Sequence, residues 1–346
     1  MTRIAFFTGS KSAFNILFDT LNFGWMLHND YELDLITTKP DELGPLANYF
    51  EMHGGNFPST RVGETRALHN YLKYNRPEVI VNVVEPSIHG NIVGALATHH
   101  GIPFTYRYSG DLLDLYRVSH GWRKPAQFML NNIFGRLAIS TADKFIALGP
   151  TGKKRLTDHG ATPSDVEILP PPIDNERFKG VEPSDISIPE GRKLVLYAGR
   201  RSRIKGMNDM NTAIPEILSR RDDLQFVFVG SHGIEPDVPS RYEDHITMVG
   251  RVPLGGMPPY FQAADLLVLP TYNEGLPRVI TEALAADTPV VARDVADIAY
   301  ATQNTFQTID EFIEMVSSLE DLPLDEMTPF TRTALKENYI NFFSQF

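Results

Sequence analysis

The sequence predicts two α/β domains in series, each a mostly parallel sheet with helices on its faces. Three observations predict it. A chain of 346 residues lies at the upper edge of what one hydrophobic core organises, so two domains are the natural expectation. Short β-rich runs alternate with helix-like segments in both halves. Between the halves stands Pro170-Pro171-Pro172, which fits neither a helix interior nor a central strand.

In the first half, strands are expected over residues 3–7, 31–37, 79–84, 104–108 and 144–147, with helices over 65–74 and 92–99. Residues 181–191 add Pro183, Pro189 and Gly191 to the proline run, which places the boundary near residue 180. The same grammar then restarts. Strands are expected over 193–198, 224–229, 246–249, 267–270 and 289–292, and helices over 209–218, 259–264 and 278–286. Residues 252–254 lead into a turn. The segment 331–346 carries Tyr339, Phe342, Phe343 and Phe346 on one helical stripe, which needs either the chain itself or a partner to pack on. Ligands of doubly wound sheets bind at the carboxyl ends of the strands, and with two such domains the cleft between them is the expected site.

Composition narrows the chemistry. The chain has no cysteine, which excludes disulfides, cysteine nucleophiles and thiolate metal sites. The hydrophobic fraction of 42% supplies two cores, and the charged fraction of 22% argues against wholesale disorder. Residues 1–178 hold 17 Lys/Arg against 18 Asp/Glu, while the remainder holds 15 against 25, so nearly all of the net charge of -11 sits in the second half. A surface so acidic is poorly suited to nucleic acid, although a small phosphorylated ligand needs only a few local donors. The apolar run at Ile4–Phe7 is too short for a signal peptide or a membrane span, and a cytoplasmic location is expected.

Two constellations could carry chemistry. Gly199-Arg200-Arg201-Ser202-Arg203-Ile204-Lys205-Gly206 lies between a strand and a helix, with four cations inside six residues of an otherwise acidic half. It reads as an anion-binding loop, or as a solvated one. The second runs from Thr271 to Ala283, where a strand ends, a loop follows and Pro277 opens a helix. Glu274 lies at the loop mouth, suited to a sugar-like diol or to the dipole of the following helix. Glu282 falls on a largely apolar helical segment, where a carboxylate needs hydrogen-bond donors or an internal ion pair.

Glu274 and Glu282, with seven residues between them, resemble the paired-glutamate signature of the retaining glycosyltransferases of family 4, glycosyl transferases group 1. Gly199-Arg200 with Lys205-Gly206 is similar to that family's diphosphate-binding loop, residues 168–178 to its interdomain segment, and Ala264-Asp265 with residues 267–270 to the strand before its glutamates. The resemblance covers residues 140–295 firmly and the earlier part only in topology. It implies a GT-B fold of two Rossmann-like domains facing across a cleft: residues 1–180 for the acceptor, 181–328 for a nucleotide-sugar donor, and 329–346 a final helix returning to the first domain. It also implies a metal-independent hexosyl transfer from a nucleotide-diphosphate sugar, which is a substrate and not a cofactor, to a glycan or lipid-linked hydroxyl.

Under that resemblance Arg200 and Lys205 hold the diphosphate, Glu282 accepts from ribose hydroxyls and Glu274 binds the transferred sugar. Backbone groups at Arg251 and Val252 meet the base, amides near Arg278 and Val279 touch phosphate, and Gly9 approaches the diphosphate from the first domain. Three features depart from the family. The usual histidine after the strand at 104–108 is not evident, leaving Arg107 or Asp111 in its neighbourhood. Thr8-Gly9-Ser10 lacks the expected glycine pair, and Ala296-Asp297-Ile298-Ala299 replaces a customary glycine and glutamate. His89 and His120 are acceptor-site candidates or ordinary structural histidines. Residues 117–137 mix Arg123, Lys124 and Arg136 with Trp122, Phe128, Met129, Leu130, Ile133 and Phe134, a composition for peripheral contact with the anionic inner face of the cell membrane or for plain packing. The competing functions are a non-catalytic nucleotide- or glycan-binding module and a nucleotide-sugar epimerase of the same fold.

Overall fold

The structure is a computed structural model describing residues 1–346 apart from 12, 13, 85, 86, 184, 185, 187 and 254, with only the backbone described at 14 and 15. The expected turn at 252–254 therefore lies partly outside the described residues. In the first half β1 (Arg3–Gly9), α1 (Phe14–Leu27), β2 (Glu32–Thr37), β3 (Glu51–His53), α2 (Arg61–Asn75), β4 (Val79–Asn82), α3 (Ile88–His100) and β5 (Phe104–Tyr108) follow in order. Then come α4 (Arg123–Phe128), a wider π-type turn (Met129–Phe134), α5 (Gly135–Ser140), β6 (Lys144–Ala147), α6 (Pro150–Asp158) and β7 (Val166–Ile168). The second half contains β8 (Lys193–Ala198), α7 (Met207–Arg220), β9 (Leu224–Val229), β10 (Ile246–Gly250), α8 (Pro258–Ala263), β11 (Leu266–Leu269), α9 (Arg278–Leu284), β12 (Val290–Arg293), β13 (Thr305–Phe306) and α10 (Ile309–Ser317), before α11 (Arg332–Phe343) closes the chain.

Two parallel sheets result, ordered β3-β2-β1-β4-β5-β6-β7 and β10-β9-β8-β11-β12-β13. Each reverses its winding once, between β1 and β4 and between β8 and β11, as in a Rossmann-like domain. The strands are apolar on both faces because helices cover both. In β1, Ala5 and Phe7 join a core with Leu68, Tyr71, Val93 and Ile139. Ile4 and Phe6, one residue out of phase, join the opposite core with Leu17, Phe23, Tyr339 and Phe343. Helix starts are fixed locally: the Thr60 side chain accepts from Gly63 N at the head of α2, and a capping box of Thr308 and Glu311 opens α10.

The chain divides into two units, Met1–Pro172 with Arg332–Phe346, and Ile173–Thr331. The division falls directly after the prolines and not near residue 180. Ile173 pairs in parallel with Thr331, and its N–H donates to Phe330 O at 2.7 Å, so both strands of the crossing belong to the second unit. The aromatic stripe of α11 packs on the first unit, with Phe23 and Tyr339 ring centroids 5.4 Å apart and Tyr339 Oη donating to Pro170 O at 3.0 Å.

Candidate functional site

In the second unit the loops leaving β8 and β11 meet where the sheet reverses. Tyr272 N donates to Ile204 O at 2.8 Å and Thr271 Oγ1 donates to the same oxygen at 3.2 Å, which locks the two loops together. The buried Tyr197 hydroxyl lies 3.1 Å from Arg200 O and 3.2 Å from Lys205 O, fixing the first loop at both ends. Gly206, at φ +80°, closes that loop; a Cβ there would fall 2.0 Å from Pro270 O, so no other residue fits without moving the end of β11.

The locked loops carry the expected donor-binding residues. Lys205 and Glu274 form an ion pair at half-buried positions. Arg200 is exposed and, among the described residues, in no ion pair, and Arg203 is exposed too. Arg201 behaves differently from its neighbours: it is buried and pairs with Glu235 at 2.8 Å, so the cation-rich loop presents fewer charges outward than its sequence promises. Gly199 N donates back to Val229 O at 2.8 Å. Arg251, exposed, and Val252, half-buried, follow β10, while Arg278 and Val279 form the first turn of α9 behind Pro277.

Glu282 is buried on α9, with Arg278 Nη2 3.9 Å away. Burial pushes its carboxyl above the ordinary value, opposed by the charges of Arg278 and Arg177. The folded protein therefore holds this proton to a higher pH than the unfolded chain does, and stability falls as pH rises through the interval between the two values. Glu282→Gln is expected to raise the melting midpoint by a few degrees at about pH 8 and to leave it unchanged at about pH 4. Scanning calorimetry at both pH values checks this; an equal midpoint at the higher pH would mean that the carboxylate is fully compensated.

Sequence reasoning missed the group behind this loop. Tyr272 Oη donates to Asp209 Oδ2 at 2.8 Å, Arg293 pairs with Asp209, and the Arg293 guanidinium lies 4.3 Å from the Tyr272 ring centroid. The network ties the residues preceding Glu274 to α7 and to the end of β12. The one available signal was an arginine ending the apolar strand Val290-Val291-Ala292.

In the first unit Gly9, at φ +57°, ends β1 beside the other winding reversal. Beneath it lies Glu64, a buried carboxylate that the sequence did not single out. Ser10 N donates to Glu64 Oε1 at 2.9 Å, the Ser10 hydroxyl binds the same oxygen, and His89 Nε2 lies 3.3 Å from Oε2. Burial raises the Glu64 carboxyl, but the two Ser10 donors, His89 and Arg61 outweigh it and hold the group below its ordinary value. His89 is thus placed with the Gly9 turn, although fully buried.

The other acceptor candidates are Arg107, Asp111 and His120. Arg107 is buried, with Nη2 3.0 Å from Asp19 Oδ2 and its guanidinium beside the Phe23 ring, so it holds α1 to the sheet instead of opening onto solvent. Asp111 accepts from Tyr108 Oη at 2.9 Å, and burial raises its carboxyl despite that bond and Arg155. His120 is exposed. Among the described residues, Asp34, Glu51 and His53 form a group whose ligand atoms lie within 4.8 Å of one another. Asp34 in that group already accepts from Tyr71 and has Arg3 Nη1 at 3.7 Å, a cation that disfavours a metal ion.

Two family models match the chain, "Glycosyltransferase Family 4" over residues 22–177 and "Glycosyl transferases group 1" over 192–319. Each half of the chain is thus similar to glycosyltransferases, the first to family 4 and the second to group 1. The group 1 match contains every expected donor residue of the second unit; His89, Arg107, Asp111 and His120 fall in the family 4 match, and Gly9 precedes both. The Bacillus subtilis protein TuaC, named for a glycosyltransferase role in teichuronic acid biosynthesis, is 35% identical over 141 residues, 39% of this chain and 35% of TuaC. A D-inositol 3-phosphate glycosyltransferase of Geodermatophilus obscurus is 29% identical over 48% of this chain and 41% of its own length. The matched part is thus less than half the length of these curated relatives. Among solved structures, Anabaena Alr3699/HepE in complex with UDP-glucose superposes with a TM-score of 0.73 at 12% identity, covering 100% of both chains. Sucrose-phosphate synthase of Thermosynechococcus elongatus superposes with a TM-score of 0.71 at 17% identity, covering 100% and 99%. These likenesses establish the fold.

Proposed function

We propose that the chain transfers a hexose from a nucleotide-diphosphate sugar to a hydroxyl of a glycan or glycolipid, with retention at the anomeric carbon and without a metal. The observation that carries this reading is the pairing of Lys205 with Glu274, with Arg200 on the same loop as Lys205, where two loops are locked together at the carboxyl ends of β8 and β11. Breaking a glycosyl phosphate bond builds negative charge on the departing diphosphate. Cations fixed before the reaction stabilise that charge as it develops, and so lower the barrier. In this reading Arg200 and Lys205 hold the diphosphate, Glu274 accepts from sugar hydroxyls and Glu282 from the ribose. The acceptor hydroxyl attacks from the face that the nucleotide is leaving, and the departing phosphate takes its proton. The relatives named for glycosyltransferase roles support the reaction class, and the UDP-glucose bound to HepE makes uridine diphosphate the first nucleotide to try.

The test is calorimetry with UDP, GDP, ADP, CMP and dTDP on the full chain and on Arg200→Ala/Lys205→Ala, followed by transfer from the matching sugar nucleotide and NMR of the product anomer. Preferential binding of one diphosphate, lost in the double variant, and a product of retained configuration are expected. An inverted product would refute retention. Donor consumed without acceptor to give an isomer would replace transfer by epimerisation, and no diphosphate binding by folded protein would replace it by a glycan-binding role.

A further inference from the structure

The helical stretch 123–140 buries only one of its faces. Asn131, Gly135, Ala138 and Ile139 are the buried stripe, and the stretch is tied inward by polar bonds: Ser87 Oγ to Asn131 Oδ1 at 2.7 Å, Asn91 Nδ2 to Phe134 O at 2.9 Å and Asn132 Nδ2 to Leu113 O at 2.9 Å. Large apolar groups stand on the outer side. Met129, Ile133 and Leu137, four residues apart, form an exposed row flanked by Phe128 and Phe134, and Trp122 at the head of the stretch is 77% exposed. Scattered apolar groups on a surface need no explanation, but a contiguous helical row does.

Charge identifies the occupant. Residues 115–142 contain no Asp or Glu, although the chain as a whole carries -11, and they contain Arg117, Arg123, Lys124 and Arg136. Arg117 is paired with Asp114; Arg123, beside the Trp122 ring, Lys124 and Arg136 are exposed on the same stretch as the apolar row. An apolar helical face accompanied by cations and headed by a tryptophan suits the headgroup region of an anionic bilayer: the aliphatic and aromatic groups enter the acyl boundary while the cations meet lipid phosphates. Among the described residues no helix is long and apolar enough to cross a membrane, so the contact is one of lying on the surface. We infer that residues 122–137 dock the first unit onto an anionic lipid surface, with Trp122, Met129, Ile133 and Leu137 inserted and Arg123, Lys124 and Arg136 on the headgroups.

The inference does not depend on the activity proposed above, because its readout needs neither donor nor acceptor. The full chain is sedimented with phosphatidylglycerol/phosphatidylcholine vesicles and with phosphatidylcholine vesicles, at low and high salt. Co-sedimentation with the anionic vesicles at low salt is expected, weakened by salt. It should fall by about tenfold or more in Met129→Gln/Ile133→Gln/Leu137→Gln and likewise in Arg123→Gln/Lys124→Gln/Arg136→Gln. All six positions lie outside the buried stripe, so both variants should keep the far-UV spectrum and melting midpoint of the parent. The chain has two tryptophans, and the second, Trp25, is half-buried beside Arg332, so a blue shift of emission on vesicles should survive Trp25→Phe and vanish in Trp122→Phe. The inference is overturned if the parent stays in the supernatant with anionic vesicles at low salt, if the apolar triple variant sediments as the parent does, or if Trp122 emission does not move. A concentration-dependent dimer lost in the apolar variant, without vesicle binding, would make the row an interface between copies instead.

Discussion

Phe343→Ala is expected to remove about 3–5 kcal/mol of folding stability from the first unit, a loss typical of emptying a buried aromatic site. The side chain is fully buried, with ring centroids 5.1 Å from Phe342, 6.1 Å from Phe6, 6.3 Å from Phe23 and 6.4 Å from Tyr31. Apart from Phe342 of α11 itself, these neighbours come from β1, α1 and the turn before β2, so α11 closes the apolar face that those elements leave open. Without α11 the side of β1 bearing Ile4 and Phe6 would lose part of its cover, although 159 residues of the second unit intervene in the chain. The melting midpoint should fall by about 10 °C, whereas Asn341→Ala on the exposed side of the same helix should change it little. Equal midpoints for the two variants would mean that α11 is an appendage and not part of the core.

The two-domain organisation was legible because it rests on local patterns. Short runs rich in aromatic and β-branched residues, such as Phe104–Tyr108 and Leu224–Val229, declare themselves as strands. β3, β7 and β13 escaped because three, three and two residues are too few to show a period. The residues of the two locked loops were legible as motifs, but not their partners. Lys205 and Glu274 are 69 residues apart, and only the adjacency of β8 and β11 makes them a pair. Direction was illegible too. Arg201 stands between exposed Arg200 and the solvent-facing Arg203 yet turns inward to Glu235, and Arg107 spans to Asp19, because burial of a guanidinium depends on a carboxylate placed by a distant element. Glu64 gave no signal at all, since its place under Gly9 and Ser10 comes from a turn 54 residues away.

Lys205→Met and Glu274→Gln are expected to move nucleotide affinity in opposite directions. In the present structure the two side chains neutralise each other at half-buried positions. Under the proposed function, a diphosphate arriving at this loop would compete with Glu274 for Lys205 and feel the repulsion of the carboxylate while it did so. Removing the cation should weaken binding of the bare nucleoside diphosphate by about 10–100-fold and cut transfer by about 10²–10³-fold, the scale of losing one preorganised charge at a developing anion. Removing the charge of Glu274 while keeping its shape should instead tighten the diphosphate by a few-fold, because Lys205 is released to it. Transfer should nevertheless fall, since an amide oxygen is a weaker acceptor for sugar hydroxyls than a carboxylate. Calorimetry of the two variants and of the double variant closes a thermodynamic cycle that isolates the coupling between the residues. Equal weakening of the diphosphate by both substitutions would reduce the pair to a structural tie between two loops. Opposite signs would mark Glu274 as a placeholder that the donor phosphate displaces.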